Sequence, residues 1–146
     1  MGFFSSLKDK LSSIVVGTAA GEWAVTAMAV MVFADGDAEA AELEKAKVVA
    51  TTNPVVKNSI GSARGEVLFL ETVEAIKVAP AAMVQTYLTK LDALARKISS
   101  ADDKNFALAA VIAVATADGD VEAPEAALLV RFKALLGATI DVPGAS

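Results

Sequence analysis

The motif D-G-D-x-E-x-x-E occurs twice, at residues 35–42 and 118–125, with 83 residues separating Asp35 from Asp118. In each copy an apolar run leads into a glycine flanked by acids. Glycine suits the left-handed turn that ends a helix, and Asp or Glu suits the positive N-terminal pole of the next. A chain that carries this punctuation twice is committed to pairs of helices joined by tight turns. The shared register extends beyond the turns. Trp23 falls opposite Phe106, Ala27 opposite Ala110, the tetrapeptide A-D-G-D recurs at 34–37 and 117–120, and Glu39 and Glu42 match Glu122 and Glu125. A weaker match pairs Phe4 with Tyr87, Asp9 with Asp92 and Leu11 with Leu94. The expectation is a single all-α domain over residues 1–146, a compact bundle of about seven helices. It would be built from two pseudo-two-fold-related repeats, at about 3–53 and 80–138.

Periodicity places the individual helices. Phe3, Phe4, Leu7, Leu11, Ile14 and Val15 recur at helical spacing and predict an amphipathic first helix over residues 3–15. Gly17 to Gly21 reads as a break. A core helix then covers 22–34, and Gly36 ends it while Asp37 caps the next, over 38–51. Asn53-Pro54 stops that helix, and residues 54–63 read as a short helix and a loop. The next helix, 64–78, presents Val67, Leu68, Leu70, Val73 and Ile76 as its apolar set. Pro80 opens another that runs to about residue 98. Ser100 with Asp103 resembles a capping box and starts the second core helix, 102–117. The last helix, 121–136, ends at Gly137, and residues 139–146 read as a loose tail. Trp23 and Tyr87 lie on apolar faces and are expected in the core.

Composition narrows the function. The chain is 55% hydrophobic with a mean hydropathy of +0.53, which raises the question of a membrane. Segment length answers it: the longest uncharged apolar stretches, 23–34 and 106–117, fall short of the ~20 residues that cross a bilayer. No basic n-region precedes a long apolar run, so a cytoplasmic location is expected. There is no cysteine and no histidine, which removes thiol chemistry, thiolate metal sites, the usual general base and the commonest zinc ligand. Zinc, haem and nucleotide are not expected. A net charge of −5 disfavours nucleic acid. With no constellation suited to catalysis, the chain reads as a non-enzyme. The Met1-Gly2 start with Ser6 matches a short acylation pattern of low specificity.

The acids themselves are concentrated. Of 18 Asp and Glu residues, 8 lie in the two motifs, four in each. Capping uses one or two acids per turn, so the surplus carboxylates repel one another unless a cation intervenes. Asp35, Asp37, Glu39 and Glu42, with Asp118, Asp120, Glu122 and Glu125, are therefore the candidate ligands of a hard divalent cation held by oxygen. Ca²⁺ is the first expectation and Mg²⁺ or Mn²⁺ the others. The sites do not follow the EF-hand plan, whose positions six and twelve would fall on Ala40 and Ala46 or on Ala123 and Leu129. The bland reading is helix punctuation alone. A third reading has the acidic surface dock a basic partner without metal.

An apolar helix ending in A-D-G, followed by D-x-E-x-x-E, twice in a helical chain of this length, resembles the TerB family of tellurite-resistance proteins. The M-x-F-F-x-x-L-K start is similar too, and residues 54–80 match least. The resemblance implies a helical fold with acidic clusters at the eight residues named above. It further implies a role in tellurite resistance and related stress responses. That role would lie within a membrane-linked, metal-responsive assembly, with other stress-response proteins as partners and peripheral contact at the inner membrane face. The absence of thiols and the negative charge argue against direct chemistry on the tellurite oxyanion, and favour a sensor or scaffold.

Overall fold

The computed structural model describes residues 15–34, 38–117, 119 and 121–144. Among these the chain forms seven α-helices and no strand: α1 (Thr18–Val32), α2 (Ala40–Thr52), α3 (Pro54–Ser59), α4 (Ser62–Val78), α5 (Pro80–Ala95), α6 (Ala101–Ala115) and α7 (Ala123–Leu136). The all-α expectation is met. The offset of 83 residues carries both ends of α1 onto both ends of α6, and the start of α2 onto the start of α7. The predicted first helix over 3–15 lies outside the described residues except at Val15, which is exposed.

The core is organised around α1 and α6. Every residue from Trp23 to Met31, and every one from Phe106 to Ile112, is buried, so both helices are enclosed over these stretches. That explains why neither shows an amphipathic stripe. Their alanines, among them Ala24, Ala27, Ala107 and Ala110, let backbones approach closely where the helices pack on one another. α4 and α5 cover other faces of α1, and α7 packs on α6 and α5. Trp23 ties three of these elements together. Its indole Nε1–H donates to the Leu91 carbonyl of α5 at 3.1 Å, and its ring meets the edge of Phe132 of α7 at 5.4 Å and 78°. The Trp23 expectation is met; Tyr87 is only half-buried, with the Lys90 ammonium 5.5 Å over its ring.

Three details differ from the sequence reading, each for a packing reason. Gly21 does not break the chain; it lies in the first turns of α1, fully packed, and its N–H donates to the Ser59 hydroxyl at 3.1 Å. A Cβ there would strike the Ser59 side chain, so glycine serves close approach and not termination. On α4, Val67 and Leu70 are exposed, whereas Gly65, Leu68, Phe69, Thr72, Val73 and Ile76 form the buried face. Those six follow the i, i+3, i+4 rule, and 67 and 70 fall off it. The segment after Gly137 is not loose over its described part. Ala138, Ile140 and Val142, at alternate positions, are buried, and Thr139 is hydrogen-bonded to Asn105. Gly137 does end α7, in the left-handed conformation at φ 73°.

Candidate functional site

The two acidic turns sit at the ends of the enclosed helices. α1 stops at Val32 and α6 at Ala115, and eight residues on, at Ala40 and Ala123, a second helix begins. Gly119 adopts φ +95° in the second turn, and its N–H donates to the Thr116 carbonyl at 2.9 Å. Only glycine takes that conformation without strain, which is the backbone reason for the G in the motif.

The cap is not where the sequence placed it. α2 begins at Ala40 and α7 at Ala123, so the N-cap positions are Glu39 and Glu122, in place of Asp37 and its counterpart Asp120. Each glutamate is extended, and each opens a capping box with the glutamate three residues on. The Glu39 N–H donates to Glu42 Oε1 at 3.2 Å, and the Glu122 N–H to Glu125 Oε1 at 3.1 Å. Two of the four acids in each motif thus serve helix punctuation. Ser100 plays the same part for α6, its hydroxyl accepting from the Asp103 N–H as the spacing predicted.

The tertiary structure brings the two turns together. Glu42 from α2 and Glu122 and Glu125 from α7 line one open cleft of about 260 Å³, shared with Lys45. Its apolar lining comes from Met31, Val32, Ala46, Val114 and Ala115, the ends of α1 and α6 among them. Glu39 is exposed and does not line the cleft. Asp35, Asp37, Asp118 and Asp120 lie outside the described residues. Lys45, Pro124 and the apolar lining were missed by the sequence reading. Lys45 could have been found, since it follows Glu42 by three residues and shares its helix face. The apolar wall could not, because it is made by residues brought together from both repeats.

No protein-family model matches this chain, and no curated protein or solved structure matches it.

The cleft's chemistry is set by its acids. Its oxygen-donor side chains are the three carboxylates, the donor type that hard cations prefer. Among the described residues, no three carboxylates already stand close enough together to hold an ion. A complete shell would therefore draw on the aspartates of the motifs, on backbone carbonyls or on water. Among the described residues, no helix is long and apolar enough to cross a membrane.

Proposed function

We propose that this chain is a TerB-like, non-enzymatic stress-response module that binds a hard divalent cation, calcium foremost, at its paired acidic turns and acts as a sensor or scaffold. The observation that carries this reading is that Glu42, Glu122 and Glu125, from turns 83 residues apart, line one cleft. Convergence favours a single composite site over two independent ones. In such a site, Asp35, Asp37, Glu42, Asp118, Asp120, Glu122 and Glu125 would hold the ion, with Glu39 confined to its cap. A cation bound there bridges α2 and α7, and so links the two repeats. The tie to tellurite resistance and to membrane-linked partners rests on the sequence resemblance alone.

Calorimetric titration with Ca²⁺, Mg²⁺ and Mn²⁺ tests the proposal, with one ion per chain expected. A cation that binds only the folded state should add about 2.7 kcal/mol of stability at a hundred times its Kd. The variant with Asp35, Asp37, Asp118 and Asp120 all changed to Asn should lose both the heat and the stabilisation. Absence of heat in the wild-type chain, with no rise in melting temperature, would refute it.

The apolar wall of the cleft favours a second reading, in which a partner's lysine or arginine lays its alkyl stem on Met31 and Val114 and its charge among the glutamates. Partner capture that survives EDTA but fails in the Asn variant would support that reading against the first.

A further inference from the structure

Residues 138–143 form a non-helical strap that leaves α7 through Gly137, and little fastens them. The Thr139 N–H donates to Asn105 Oδ1 at 2.8 Å, and the Thr139 hydroxyl accepts from Asn105 Nδ2 at 3.1 Å. Ala138, Ile140 and Val142 are buried, while Thr139 and Asp141 between them are exposed. Among the described residues, no backbone-to-backbone hydrogen bond joins 139–143 to the bundle. The seat is also incomplete. Asp141, Val142 and Pro143 line an open groove of about 450 Å³ with Ile112, Ala113 and Thr116, so the strap does not fill the space beside α6. Ordering the backbone opposes seating at every one of these positions. What offsets it is a single side-chain clasp and three apolar side chains. The surface beneath has one known complement, a segment with Thr to pair with the Asn105 carboxamide and apolar side chains at alternate positions. A second copy of this chain carries that segment by construction.

We propose that residues 138–143 open about Gly137 while the helices stay folded, and that the α6 surface around Asn105, Ile112 and Ala113 is a docking surface for the same strap of a second copy. Gly137 suits the hinge. It stands outside α7 at φ 73°, and a Cβ there would meet nothing within 4 Å, so no packing holds it. Thr139 lies two residues beyond the hinge and is already bonded to Asn105 in the first turns of α6. Exchange therefore needs only that two copies meet at the corner where α7 ends and α6 begins. Within one chain the tethered strap competes at an effective concentration on the order of millimolar. Each copy thus keeps its own strap in dilute solution and exchanges it where copies are concentrated. The inference is independent of any cation in the acidic cleft.

Complementation between two full-length variants, followed by NMR, tests the docking surface. Ile140→Asp unseats the strap and leaves the Asn105 surface intact, whereas Asn105→Ala removes the clasp and leaves the strap intact. Unlabelled Asn105→Ala chain, titrated to about 1 mM into isotope-labelled Ile140→Asp chain, should shift the Asn105 side-chain amide and the backbone amides of Ile112, Ala113 and Thr116. Unlabelled Ile140→Asp chain should leave the same signals unmoved, because both straps are then defective. Absence of shifts in the first titration, or equal shifts in both, would overturn the docking surface. Should Ile140→Asp displace the Trp23 indole signal, Val142→Asp carries the same comparison. Hydrogen exchange of the wild-type chain tests the opening separately. The Thr139 amide should exchange about 100-fold faster than the amides of Ala107 to Val111, and equal rates would overturn an opening independent of the helices.

Discussion

Replacing Gly21 with alanine separates a helix-breaking glycine from a packing one. In an exposed helix interior, Gly→Ala stabilises by about 1 kcal/mol, through helix propensity. At Gly21 the new methyl would lie 2.5 Å from the Ser59 Cβ, far inside van der Waals contact. α1 and α3 must then separate, or Ser59 must move. Overpacking of this kind costs about 1–3 kcal/mol. Ser59 also receives the Gly21 N–H at 3.1 Å and donates to the Gly17 carbonyl at 2.7 Å, and disturbing these bonds adds about 1 kcal/mol. Set against the propensity gain, Gly21→Ala should destabilise by about 1–3 kcal/mol, lowering the melting temperature by about 3–10 °C. Urea denaturation of four proteins is the assay: wild type, Gly21→Ala, Ser59→Gly and the double variant. Because Ser59→Gly vacates the space the methyl needs, the double variant should show a favourable coupling of about 1 kcal/mol or more. A Gly21→Ala protein as stable as wild type, or more so, would refute the close-packing account and restore the glycine as a simple break.

Three further outcomes follow from the structure. Trp23→Phe gives up the bond to the Leu91 carbonyl and part of the edge contact with Phe132, and should cost about 2–4 kcal/mol in urea unfolding; a loss below 0.5 kcal/mol would contradict the tie between α1, α5 and α7. Glu42→Ala and Glu125→Ala each break one capping box and should each cost about 0.5–2 kcal/mol without metal, similarly because the two boxes are alike; Gln at either position should retain most of that stability, and equal losses for Gln and Ala would argue against the boxes. Gly137→Ala forces a Cβ into the left-handed cap of α7 at φ 73° and should cost about 1–2 kcal/mol by thermal melting, a neutral result counting against the cap.

Much of the architecture was legible in the sequence because the signals are local. Apolar runs of the right length, Pro at helix starts and Gly137 mark most ends of elements within a residue or two of where they fall; the start of α1, four residues before the predicted 22, and the end of α5, three before the predicted 98, are the exceptions. The misread positions are those where a distant residue decides. Gly21 looks like a break until Ser59 is placed against it. Val67 and Leu70 look like core until the neighbours of α4 select the other face. Residues 138–144 look like a tail until Asn105 and the groove of α6 receive them.

For the doubled acidic motif the division is equally physical. The amino-acid order by itself determined that there would be two turns of one kind, each with a glycine and a surplus of carboxylates, and neither cysteine nor histidine anywhere in the chain. These are matters of residue type and spacing. Only the tertiary structure decided which acids cap their helices, that Glu39 stands apart, and that Glu42, Glu122 and Glu125 line one cleft with Lys45 and an apolar wall. The reason is distance. Capping reaches three residues along the chain, whereas a cleft between turns 83 residues apart depends on how α1 and α6 pack, which no short-range pattern records.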